Sequence, residues 1–178
     1  MNLTKISPLV LEDLQTVTEN SNDPSTKCGA VIYDGTHFVS RGCNNPRPEF
    51  QKFMEKDWRM KYFSIKDLVE NRDFKINITE HAECACIRQK CGTIYSSATI
   101  YINSTPCLNC AIEIVGAGLK HVAIVGHYPD FENPHWGSSW KMALLYLACH
   151  DVEVSFYDKT GKFMERVEAS TVISFKRK

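Results

Sequence analysis

The sequence predicts an α/β fold in which helices cover both faces of a sheet. Two observations predict it. From Ala98 to Asp158 the chain alternates strand, helix, strand, helix, strand, a pattern that requires right-handed crossovers and parallel strands. Ahead of that, "CGAVIYD" (28–34) and "HFVSRGC" (37–43) are strand-like runs joined at Asp34-Gly35, the signature of a hairpin.

The elements follow in order. Ser7-Pro8 opens a helix as N-cap and first-turn proline, and Val10, Leu11, Leu14 and Val17 form its apolar stripe. Residues 20–24, "NSNDP", stop it. After the hairpin comes an irregular "NNPRPE" loop. Phe50, Phe53, Met54 and Trp58 then suit a short helix within 49–63, and Ser64 with Asp67 opens a second, running to about Arg72. Thr79 is the expected cap of a helix from Glu80 to about Lys90, ended by Gly92. "ATIYINS" is a strand, Pro106 opens a helix closed by Gly116 and Gly118, and "HVAIVG" is a strand. "FENPHWGS" is a loop, "SWKMALLYLACH" a helix and "VEVSFYD" the last strand.

Composition narrows the class. A length of 178 residues, 43% of them hydrophobic, suits one domain with one core. Lys+Arg and Asp+Glu number 21 each, so no net charge draws the chain to nucleic acid or anionic membrane. The basic Lys176-Arg177-Lys178 end reads as a solvated tail. No apolar run is long enough to span a bilayer, and the start does not read as a secretory signal. The expected location is therefore the cytoplasm, where the eight cysteines stay reduced and serve as metal ligands or buried hydrophobes.

Two short stretches carry the chemistry. "HAECACI" (81–87) places His81 and Glu83 at one helix start, and "STPCLNC" (104–110) places Cys107 and Cys110 three apart at another. Residues three apart share a helix face, and the helix N-terminus favours thiolates. Convergence of the two starts gives one imidazole and two thiolates, a three-ligand set that leaves tetrahedral zinc an open position for an acidified water. Glu83, two residues from a ligand, is placed to move protons between that water, a ring nitrogen and a departing amine. H-x-E followed by P-C-x-x-C is the arrangement of zinc-dependent deaminases. Alone, a C-x-x-C is as readily redox-active or half of a structural zinc site; the joint occurrence in this order is far more specific. Cys84, Cys86 and Cys91 read as structural, with Cys84 and Cys91 on one face and Cys86 on another.

Together, "DPSTKCGAVIYDG" (23–35), "RGCNNPRP" (41–48), "HAECACI" and "STPCLNC" resemble the deoxycytidylate deaminase family of the cytidine deaminase-like superfamily, over most of residues 22–156. The resemblance implies a three-layer α/β/α cytidine deaminase-like fold, with a mixed five-stranded sheet whose last strands are parallel. It implies Zn2+ held by His81, Cys107 and Cys110, with Glu83 as proton shuttle. It implies that the backbone around Ala82 meets the pyrimidine, and that Asn44 holds the sugar and base edge. Residues 1–178 then form a single zinc-dependent deaminase domain, with a helical insert at about 49–72 and a C-terminal extension at about 158–178. The chain departs from the family where Cys43 and Asn45 flank Asn44, in place of Tyr and Gly, and where Ala85 stands in place of Asn. Some relatives hold a second, structural zinc in the insert; residues 45–80 contain no His or Cys, so that site is expected to be absent.

The implied reaction is hydrolytic deamination of a free deoxycytidine nucleotide, dCMP to dUMP with release of ammonia. Arg47 is the first candidate for the phosphate, with Lys27 equally readable as a solvated charge. Thr105 and Pro106 join the candidate substrate residues, as do Tyr128 and Trp136, which follow a strand in the region that lines ligand crevices. His135 lies in the same loop, while His37, His121, His127 and His150 read as surface or second-layer residues. Two alternatives stay open. One is the same chemistry on dCTP, guanine, an aminopurine, or a tRNA or DNA base. The other is a non-catalytic structural-zinc protein, which Glu83 argues against. The resemblance further implies a homo-oligomer, commonly a hexamer, with dCTP and dTTP as possible effectors, and the insert is a candidate subunit contact.

Overall fold

The computed structural model describes residues 4–23, 25–47, 72–90, 92–94 and 96–167. Helix α1 (Pro8–Glu19) precedes a hairpin of β1 (Gly29–Asp34) and β2 (His37–Cys43). A two-residue strand β3 (Asn45–Pro46) follows, then α2 (Arg72–Ile78), β4 (Thr79–Glu80) and α3 (Ala82–Arg88). The expected alternation follows: β5 (Thr99–Ile102), α4 (Leu108–Gly116), β6 (His121–Val125), α5 (Gly137–Cys149) and β7 (Glu153–Tyr157). Strand β8 (Phe163–Val167) is the last element among the described residues.

Among the described residues six strands form one mixed sheet in the order β2-β1-β5-β6-β7-β8. β5, β6 and β7 run parallel, with Ile102 beside Ile124 and Ile124 beside Phe156. β1 is antiparallel to both β2 and β5, and β8 is antiparallel to β7. Successive strand residues face opposite sides, so each central strand serves two cores. Val31, Tyr33, Ala123 and Val125 pack under α1 with Val10, Leu14 and Val17. Ala30, Ile32, Ile100, Ile124 and Phe156 face the other way, against Cys86 of α3, Ile114 of α4 and Leu144 of α5. This is the three-layer arrangement the alternation predicted.

Several boundaries differ from the sequence reading. The sheet has a sixth strand, β8, in the stretch taken as an extension; its residues are mostly exposed, so a backbone ladder rather than an apolar pattern holds it. Thr79 does not cap α3. Thr79 and Glu80 are extended and pair with Pro46 and Asn45, which moves the helix start to Ala82 and makes His81 the N-cap residue. Ser7 occupies the cap position of α1 without a side-chain cap bond, and Pro106 lies two residues ahead of α4. The helices expected at 49–63 and 64–72 lie outside the described residues except for Arg72, where α2 begins.

Candidate metal centre and substrate cavity

α3 packs against α4, and the contact brings their N-termini together. His81 and Cys107 are the two N-cap residues, both with extended backbone, and Cys110 sits in the first turn of α4. His81 Nδ1 lies 3.4 Å from Cys107 Sγ and 3.3 Å from Cys110 Sγ; the two sulfurs are 3.6 Å apart. One nitrogen and two sulfurs within 4.8 Å of one another match the expected three-ligand set. Cys84 also belongs to this neighbourhood, with its sulfur 3.9 Å from that of Cys110. It is therefore not the plain buried hydrophobe the sequence suggested. Cys86 is: it is fully buried in the core against Ser40. Cys91 lies outside the described residues.

The electrostatics suit a metal. The hydrogen bond between Cys107 and Cys110, then that with His81, holds the Cys107 thiol down to about 4 despite burial. The same contact with Cys107 lifts His81 to about 9, against the effect of burial. Cys110 is raised by its hydrogen bonds to Cys107 and Cys84. One imidazole and two thiols held this close form a donor set that a divalent ion enters by displacing protons. One imidazole and two thiolates fit zinc.

Glu83 is buried, 7% exposed, and desolvation pushes its carboxyl up. With His81, Ala82 and Cys107 it lines a cavity of about 580 Å³. The cavity sits beyond the carboxyl ends of β5 and β6, where Asn103, Ser104 and Thr105 leave one strand and His127 leaves the next. Trp136 and Trp140 form an aromatic wall, their planes 16° apart and centroids 6.5 Å apart, with the His127 ring edge-on to Trp140. Asp23, Ser25, Thr26, Cys28 and Lys75 form another part of the lining. Burial pushes the Cys28 thiol up to about 12, and it senses both the Glu83 carboxylate and the charges of Asp23 and Lys75.

A family model for MafB19-like deaminases matches residues 9–168. The chain belongs to the MafB19-like deaminase family. No curated protein sequence matches it. Among solved structures it is similar to the dCMP deaminase of cyanophage S-TIM5. The apo form is 16% identical with a TM-score of 0.56, covering 86% of this chain and 99% of that one. The complex with dCMP and dUMP is 18% identical with a TM-score of 0.56, covering 85% and 98%. At such identity the likeness establishes the fold, cytidine deaminase-like, and agrees with the family resemblance read from the motifs.

Within this deaminase the sequence-derived residues fall into three groups. His81, Ala82, Glu83, Thr105, Cys107, Asn44 and Trp136 all line the cavity, and Cys110 is buried behind it. Pro106 is buried next to Thr105 and does not line the cavity. Arg47 and Tyr128 are not brought there either. Arg47 is exposed, with its amide bonded to the Ile78 carbonyl, and Tyr128 is 53% exposed with its hydroxyl on Glu165. Asn44 is largely committed to the protein: its side chain accepts from Ser21 and the Cys28 amide and donates to the Thr26 carbonyl. Sequence reasoning missed the cavity positions of Asp23, Lys75, Asn103 and Trp140, and set His127 aside. Asp23 stood inside a quoted motif, but Lys75 carried no local signal at all.

Proposed function

We propose that this deaminase is a zinc-dependent hydrolase converting a free deoxycytidine nucleotide, dCMP, to dUMP and ammonia. The observation that carries the reading is Glu83 buried in the cavity wall two residues from His81, which sits with Cys107 and Cys110 in one three-donor cluster. A structural site has no use for such a carboxyl group. When bound, zinc would be held by His81, Cys107 and Cys110 and would supply Lewis acidity that makes water a nucleophile near neutral pH. Glu83 takes one proton from water and delivers it to the ring nitrogen, then takes a second from the hydroxyl added to the ring carbon and delivers it to the departing amine, and so ends in its starting state. Burial raises its affinity for protons, which suits a group that must both take and give them. The aromatic wall of Trp136 and Trp140 offers a base a flat surface.

The same reading carries a single deaminase domain over residues 1–178, a cytoplasmic homo-oligomer, and response to dCTP and dTTP. Among the described residues no helix is long and apolar enough to cross a membrane.

The test is ammonia release from a panel of dCMP, dCTP, deoxycytidine, cytosine, adenine and guanine compounds, with a single-stranded oligonucleotide alongside. dCMP is expected to be turned over with the highest kcat/KM. Preference for a purine or for the oligonucleotide would replace this substrate with another amine, and ammonia from none of them would remove the reading.

A further inference from the structure

Resting on the nucleotide reading above, we infer that Lys75 is the residue that selects the substrate phosphate, with Asp23 holding it in place. Recognition of a phosphate dianion calls for a cation on the cavity wall. Among the described residues two lysines and no arginine line the cavity, Lys27 and Lys75. The Lys27 ammonium is exposed and turned to the Glu19 carbonyl at 2.9 Å. Lys75 has only 16% of its side chain exposed and places its ammonium 2.9 Å from Asp23 Oδ1, with a second bond to the Ser25 hydroxyl. An ammonium has three donors. Among the described residues two are taken, and the third remains for an anion in the cavity.

Asp23 does not oppose this. Its Oδ1 also accepts the Ser25 and Thr26 amides, both at 2.9 Å, and the Ser25 hydroxyl at 3.1 Å. One carboxylate oxygen thus ties the cation to the loop of Ser25 and Thr26, residues that line the same cavity. The carboxylate is buried, so losing Lys75 leaves its charge uncompensated on the wall and makes a dianion unwelcome. Arg47, the candidate read from sequence, is exposed and is not among the residues lining the cavity.

The experiment is calorimetric titration of the zinc-loaded protein with dUMP and with deoxyuridine, which differ by the phosphate and undergo no turnover. The wild type is expected to prefer dUMP. Lys75→Gln is expected to shrink that preference by about 10- to 100-fold, the range of a charge-assisted pair. Lys75→Arg should retain most of it, and Arg47→Ala should match the wild type. Should Lys75→Gln fail to fold, Asp23→Asn combined with Lys75→Gln removes both charges together and should show the same loss. A wild-type preference in a folded Lys75→Gln or double variant overturns this inference and leaves the nucleotide reading standing. A wild type that binds deoxyuridine as tightly as dUMP overturns both.

Discussion

Asn44 and Cys28 are bonded to each other twice: the Asn44 amide donates to the Cys28 carbonyl at 3.0 Å, and the Cys28 amide donates to Asn44 Oδ1 at 2.7 Å. The pair clamps the loop of Ser25 and Thr26 to the end of β2. Truncating Asn44 leaves the Cys28 amide and the Thr26 carbonyl without their side-chain partner. Asn44→Ala should therefore destabilise the fold by about 1–3 kcal/mol, the cost of an unsatisfied buried polar group. Urea unfolding measures it; a change below about 0.5 kcal/mol, typical of neutral surface substitutions, would show that the clamp does not matter.

Gly42 is the point where β2 meets α3. A Cβ there would lie 2.3 Å from the Cys86 amide nitrogen and 2.7 Å from the Ala82 carbonyl oxygen. Both are backbone atoms and cannot rotate away. Gly42→Ala should push α3 off the sheet, cost about 1–3 kcal/mol as overpacking does, and weaken zinc binding, because α3 carries His81. Zinc competition with a chromogenic chelator reads the second effect; wild-type affinity in the folded variant would contradict it.

Cys107 should be reactive in acid once the metal is removed. Its thiol is held down to about 4, so the thiolate is populated above pH 4 and disappears as pH falls through that value. Iodoacetamide at pH 5–6 should label Cys107 in the metal-free protein, whereas the buried Cys28 and Cys86, both pushed up to about 12, stay unmodified. Peptide mass mapping identifies the labelled site, and zinc should protect it. Labelling of Cys107 only above about pH 8 would contradict the lowered thiol.

How much of this was legible beforehand follows from how each residue is placed. His81, Glu83, Cys107 and Cys110 stand in two short motifs whose spacing already puts them at helix starts, so their placement was legible in the sequence. The central strands were legible for the same reason, being local apolar runs. Lys75 and Asp23 meet across 52 positions and His127 reaches Thr105 across 22, and nothing in their own neighbourhoods records those contacts. The start of α3 was misplaced because the pairing of Thr79 with Pro46 is a tertiary constraint that overrides a good capping sequence. β8 escaped because an exposed edge strand has no apolar alternation to display.

Glu83→Gln should keep the fold and bind zinc yet lose turnover. The amide is nearly isosteric with the carboxyl group but cannot cycle a proton. Loss of general acid–base help costs about 10²–10⁴-fold, and a group serving several transfers in one turnover belongs at the upper end. Steady-state dCMP deamination with zinc content measured on the same sample checks it; kcat within tenfold of wild type would remove Glu83 from the mechanism.

The central claim is that His81, Cys107 and Cys110 hold the zinc on which dCMP deamination depends. Its most direct test follows dCMP conversion to dUMP in protein stripped by a chelator and then titrated with zinc. The account predicts no turnover in the stripped protein and full recovery at one zinc per chain. It predicts no recovery in the Cys107→Ser, Cys110→Ser double variant. Undiminished turnover without metal, or recovery in the double variant, would contradict it.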